Sequence, residues 1–65
     1  MVLLKVSREY AQMQGRVAKL GAFIQSGEFV SLPLVQQKLL REQLEVMQDY
    51  VLILRNRIDL MVLSD

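Results

Sequence analysis

Two apolar repeats, each stepping alternately by three and four residues, run through most of the chain and are separated by a single break. In the first, Leu3, Val6, Tyr10, Met13, Val17, Leu20 and Ile24 follow spacings of 3, 4, 3, 4, 3 and 4. In the second, Leu40, Leu44, Met47, Val51, Leu54, Ile58 and Met61 follow 4, 3, 4, 3, 4 and 3. That period places every member on one stripe of an α-helix, at the a and d positions of a heptad. A strand, with side chains alternating every two residues, would scatter the same positions over both faces. The break runs from Ser26 to Pro33 and holds the one proline and one of the three glycines. Gly27 suits the left-handed position that ends a helix. Pro33, which lacks an N–H, suits the first turn of the next helix, and Ser31 is a nearby candidate cap. The expected fold is all-α: a single domain over residues 1–65, with helix 1 at about 2–26, a loop at 27–32 and helix 2 at about 33–63. A connection this short folds two helices back as an antiparallel hairpin, placing Leu20 near Leu40, Met13 near Met47 and Leu3 near Ile58.

Helix 2 carries more apolar surface than one partner helix can cover. Leu39, Val46, Ile53 and Leu60 recur every seven residues at the c position. Together with the a/d seam they widen the apolar arc to roughly 160°, against the stripe of about 100° that faces a single core. Each large aliphatic side chain is worth on the order of 1.5–3 kcal/mol when buried. A chain of 65 residues with no cysteine has neither the length nor the disulfides to stabilise a large interior alone. The row is therefore expected to be an oligomer interface, joining hairpins into a homo-oligomeric helical bundle. Ala11 and Ala18, with Leu4 at the same heptad position of helix 1, would let another helix approach closely.

Enzymatic chemistry finds little to work with. There is no cysteine nucleophile or thiolate ligand, and no histidine to serve as general base or metal ligand. Ser7, Ser26, Ser31 and Ser64 have no base to activate them. Glu42, Glu45 and Asp49 have i+3 and i+4 spacing, but they read as surface charges, with Arg41 placed for an i,i+4 pair to Glu45. No catalytic residue, metal or cofactor is expected. Eight Lys/Arg against seven Asp/Glu give a net charge of +1, which disfavours nucleic acid as a partner. Charges at Lys5, Arg8 and Glu9 interrupt any signal-peptide core, and no apolar run approaches the 20 or so residues of a membrane span. A cytoplasmic, non-membrane protein is expected.

The row with most functional promise is the g position of helix 2, Gln36, Gln43, Tyr50 and Arg57, which lies between the seam and the c row. Assembly would desolvate these groups, and buried polar groups need partners. Glu9, Arg16 and Phe23 face them from helix 1. One reading is a register-fixing network, in which Arg57 pairs with Glu9 while Gln43 and Tyr50 bond across the subunit interface. The other is a ligand-binding cavity between subunits, with Arg8, Arg16, Lys19, Gln43, Tyr50 and Arg57 as its residues. Arginine offers a planar fork for phosphate, and tyrosine or Phe29 offers a stacking face. Lys5, Arg8, Gln12, Arg16 and Lys19 also form an outer stripe on helix 1, which is either a solvated face or a phosphate-holding one. Gly15 lies within that stripe and is a candidate for a close approach by backbone or ligand.

The order of motifs resembles a family of small helical-hairpin proteins encoded by phages, including crAss-like phages. The pattern is Leu20-x-x-Phe23-Ile24, then Glu28-Phe29-x-x-Leu32, then Gln37-x-Leu39-Leu40-x-x-Gln43, then Met47-x-x-Tyr50-x-x-Ile53-Leu54-x-x-Arg57-Ile58. It covers about residues 17–61 and departs at Pro33, where the family more often places a capping Ser or Asp. In size and architecture the chain is similar to the phage sponges that counter CBASS and Thoeris immunity. The resemblance implies a non-catalytic anti-defence protein that sequesters a cyclic or ADP-ribose-type nucleotide at subunit interfaces in the host bacterial cytoplasm. The alternative is a helical module that docks a host or phage protein through the apolar face of helix 2.

Overall fold

The computed structural model describes residues 2–64, which are all-helical, with no strand among them. α1 spans Val2–Ile24, α2 spans Gly27–Val30 and α3 spans Leu34–Leu63. α1 and α3 are the principal packing partners, and the molecule is a rod of 50 × 15 × 14 Å. The heptad seam is what they bury. In α3, Leu54 is fully enclosed and Leu40, Leu44, Met47, Val51, Ile58 and Met61 are half-buried. In α1, Val6 is buried, and Tyr10, Met13, Val17, Leu20 and Ile24 are half-buried. Leu3, at the open end, is exposed.

The turn is more structured than a loop, and it corrects four details of the sequence reading. α1 ends at Ile24 rather than near residue 26, because the backbone tightens there: Gln25 N–H donates to Ala22 and Ser26 N–H to Phe23. The chain leaves through an extended Ser26 (φ −84°, ψ 161°), so Gly27 has no positive φ and instead opens α2. Ser31 does not cap the long helix. It ends α2, and its hydroxyl donates to the Glu28 carbonyl at 2.7 Å. Pro33, at φ −55° and ψ 145°, stands just before α3 rather than in its first turn, and its carbonyl accepts the Gln37 N–H at 3.1 Å.

α2 exists to bury Phe29. Its ring is 1% exposed and meets Phe23 edge to face, with centroids 6.2 Å apart and planes at 86°. The Arg41 guanidinium lies 5.0 Å over the Phe29 ring, so this side chain, expected to pair with Glu45, closes the turn by a cation–π contact. Beneath it, Gln37 is buried, and its amide donates to the carbonyls of Leu32 at 2.9 Å and Val30 at 3.3 Å. Those carbonyls have no partner within the one-turn helix, and they satisfy the buried Gln37 amide in return.

The interior is thin. Among the described residues the buried apolar side chains are Val6, Phe29 and Leu54, the last two fully enclosed. The accessible surface is 5172 Å², whereas a compact monomer of 7.5 kDa exposes about 4,250 Å². The surplus of roughly 900 Å² is the surface a two-helix rod cannot fold inward.

Two substitutions test this account by urea unfolding. Leu54→Ala empties the most enclosed seam site and should cost about 2–5 kcal/mol. Gly15 lies mid-helix, and a Cβ built there meets nothing within 4 Å. No backbone approach within the chain therefore requires this glycine, and Gly15→Ala should stabilise by up to about 1 kcal/mol.

Candidate ligand-binding site

The polar row of α3 is anchored at one point. The Tyr50 hydroxyl donates to the Glu9 carboxylate, joining α1 and α3 across 41 positions of sequence. Tyr50 therefore takes the partner that the sequence reading gave to Arg57, and it bonds within the chain rather than across a subunit interface. The bond holds the Tyr50 hydroxyl pKa above its ordinary value of 10.0, because only the protonated phenol can donate. Partial desolvation and the negative charge of Glu9 push the same way, while the positive charge of Arg57 pulls it down. Arg57 is thus within electrostatic reach of the phenol.

The rest of the predicted set is outward-facing. Gln36, Gln43 and Arg57 on α3 are exposed, as are Arg8, Arg16 and Lys19 on α1. The Gln43 amide points along its own helix to the Met47 sulfur at 3.7 Å, a weak acceptor that leaves it available to a better one. Gln43 and Arg57 are two heptads apart, about 21 Å along the helix axis. One chain therefore brings together Glu9 and Tyr50, with Arg57 nearby, but it does not gather the six predicted residues into one pocket. Phe29 is removed from the candidate stacking faces, because its ring is spent on the turn. Beside the polar row the c-position residues stand in solvent: Leu39 is 51% exposed, Val46 67%, Ile53 54% and Leu60 68%.

A second feature lies on the opposite flank of the seam. There Gln14, Val17 and Ala18 of α1 and Gln48, Val51 and Leu52 of α3 line an open, mostly apolar groove of about 440 Å³. None of the predicted ligand residues reaches it. Among the described residues no group of three or more His, Cys, Asp or Glu side chains comes together, and no helix is long and apolar enough to cross a membrane.

Sequence reasoning missed the role of Gln37. The signal was present: three residues back from Leu40, Gln37 continues the a/d seam, and a glutamine on a packed stripe needs buried partners. The partners are carbonyls at the end of a one-turn helix and just beyond it, which no periodicity shows.

The family model described as Sequestin matches residues 2–60. The chain belongs to the Sequestin family. No curated protein and no solved structure matches it. The Sequestin match takes in both arms of the seam, the turn, the Glu9–Tyr50 pair and the c row as far as Leu60. It agrees with the resemblance to small sponge-like helical proteins.

The Glu9–Tyr50 pair makes a pH prediction. A group whose folded pKa is raised contributes stability that is present below its unfolded pKa and lost as pH rises through the folded value. Stability should therefore fall above pH 10, the ordinary phenol value. In a Tyr10→Phe background, ultraviolet titration should show a single phenol ionising above that value. Glu9→Ala should move it back down and flatten the alkaline loss of stability.

Proposed function

We propose that this protein is a non-catalytic homo-oligomer that binds and sequesters a nucleotide-type immune signal at subunit interfaces, acting as a phage anti-defence protein in the host bacterial cytoplasm. The observation that carries the reading is the placement of the polar row between the packed seam and an exposed apolar row. A neighbour that covers Leu39, Val46, Ile53 and Leu60 also covers Gln43, Tyr50 and Arg57, leaving cationic and hydrogen-bonding groups in a partly dry site. Membership of a family named for sequestration points the same way. In the assembly, α1 and α3 form an antiparallel hairpin, two or more of which make the bundle. Arg16 and Arg57 hold phosphates, aided by Arg8 and Lys19 on the outer face of α1. The Tyr50 ring supplies an aromatic face, and the Gln43 amide reads a polar edge. Holding a ligand involves no bond-making, so neither a general base nor a metal is called for.

The same exposed c row supports a second reading, in which it docks an apolar helix of a host or phage protein. Native mass spectrometry separates the two. Protein purified gently from cells producing nucleotide immune signals should appear as a sharp oligomer carrying an adduct of a few hundred daltons. The Arg57→Ala/Tyr50→Ala variant should keep the oligomer and lose the adduct, because a charged hydrogen bond is worth about 1.5–3 kcal/mol, roughly ten-fold or more in affinity. An adduct undiminished in that variant refutes the site. A bare oligomer from cells shown to contain the signal favours the docking module.

A further inference from the structure

Arg16 and Arg57 cannot hold one ligand within a single chain. Arg16 lies one heptad along α1 from Glu9, and Gln43 lies one heptad back along α3 from Tyr50. In the hairpin, the Glu9–Tyr50 bond sets Arg16 level with Gln43. Arg57 is then about 21 Å away along the axis, farther than its side chain spans.

The rows of α3 have an internal symmetry that removes this difficulty. Turning α3 end for end about a point beside Tyr50 exchanges Leu39 with Leu60 and Val46 with Ile53. The same reversal exchanges Gln43 with Arg57 and returns Tyr50 to itself. We propose that a second copy of this chain docks antiparallel on the c face of α3, about a two-fold axis beside Tyr50. Each ligand site is then composite, built from Arg16 and Gln43 of one chain and the partner subunit's Arg57.

Surface area, polarity and charge support the arrangement. The surplus of roughly 900 Å² over a compact monomer is close to the 800 Å² or so per partner that a standard interface buries. In this register apolar residues oppose apolar ones. It also brings Val35, 69% exposed, against the partner subunit's Leu63, the most exposed large aliphatic of the described residues at 80%. A parallel pairing would match the same c row but set Arg57 against its own copy. The antiparallel one sets it opposite Gln43 and runs the helix dipoles in opposition. Asp49 meets its own copy at the wet rim, where salt screens the repulsion. At each composite site two guanidinium groups, from Arg16 and the partner subunit's Arg57, converge without a facing carboxylate, which favours a ligand with a divalent or larger negative charge, such as a pyrophosphate-linked nucleotide.

The ligand assignment rests on the sequestration reading, whereas the docking geometry does not, and the test separates them. The chain has no cysteine, so Val46→Cys and Ile53→Cys can be oxidised alone and after refolding together. The mixture should form the disulfide-linked dimer. Each variant alone should not, because like positions lie about 10 Å apart along the axis, beyond the Cα separation of about 4.4–6.8 Å that a disulfide spans. The Leu39→Cys and Leu60→Cys pair repeats the test if either first variant fails to fold. Crosslinking of a variant to itself, or no crosslinking in any mixture, overturns the docking. For the composite site, Arg16→Ala and Arg57→Ala should each weaken ADP-ribose binding ten-fold or more in calorimetry. Refolded together they should recover tight binding, since a mixed dimer keeps one site with both arginines. No recovery overturns the composite site. Crosslinking as expected with no ADP-ribose binding by the wild type overturns the assignment of a pyrophosphate-linked ligand to the composite site and leaves the docking standing, while the adduct in native mass spectrometry decides the sequestration reading separately.

Discussion

Two helices laid side by side share a line of contact rather than an interior, and that constraint governs everything else in this molecule. A side chain on the line is covered by one neighbour and open to water on either flank, so most of the seam is only half-buried while Leu54 and Val6 are enclosed. The seam holds the two long helices together but leaves 5172 Å² of the molecule accessible, more than a compact chain of this mass exposes. Apolar area removed from water is worth about 25 cal/mol per Å², and here much of that area is still in water.

The polar row gains its meaning from that setting. On an ordinary surface helix, Gln43, Tyr50 and Arg57 would be solvated and unremarked. Here they are bounded by the seam on one side and by Leu39, Val46, Ile53 and Leu60 on the other. The Glu9–Tyr50 bond fixes the height of α1 against α3 at the middle of the row. It also engages the Glu9 carboxylate with Tyr50 in place of Arg57. A cation left without an internal partner beside an apolar face is costly to cover unless an anion comes with it. That coupling between assembly and anion is the physical basis for reading the row as a binding site. The apolar groove on the other flank has cavity volume but no charge, so it offers nothing to a phosphate.

The turn does a different job. It closes the rod at one end with contacts that are mostly local: Phe29 against Phe23, Arg41 over the Phe29 ring, and Gln37 on two carbonyls. Phe29 would have been an attractive stacking face for a nucleotide base had it been exposed. The fold spends it on closure because a one-turn helix has too few backbone bonds to hold its own shape, and a buried aromatic ring supplies what the backbone lacks.

Periodicity by itself determined the two long helices, the break between them and the seam they bury, because a 3–4 spacing fits one helical stripe and no strand. It also determined the surplus row on α3, since four aliphatics every seven residues must share a face. A likeness to small sponge-like helical proteins was legible in the order of motifs around Phe29, Gln37 and Tyr50, and the Sequestin match is consistent with it. What the sequence left undecided were choices between partners of similar chemistry. Tyr50 rather than Arg57 engages Glu9, and Arg41 covers Phe29 rather than pairing with Glu45. Gly27 opens a helix where a left-handed cap was expected, and Gln37 turns inward to bond carbonyls that exist only once α2 has formed. Spacing states which face a side chain occupies. Which neighbour it meets there depends on the axial height of one helix against the other and on the path of the turn, and both are fixed only when the seam packs.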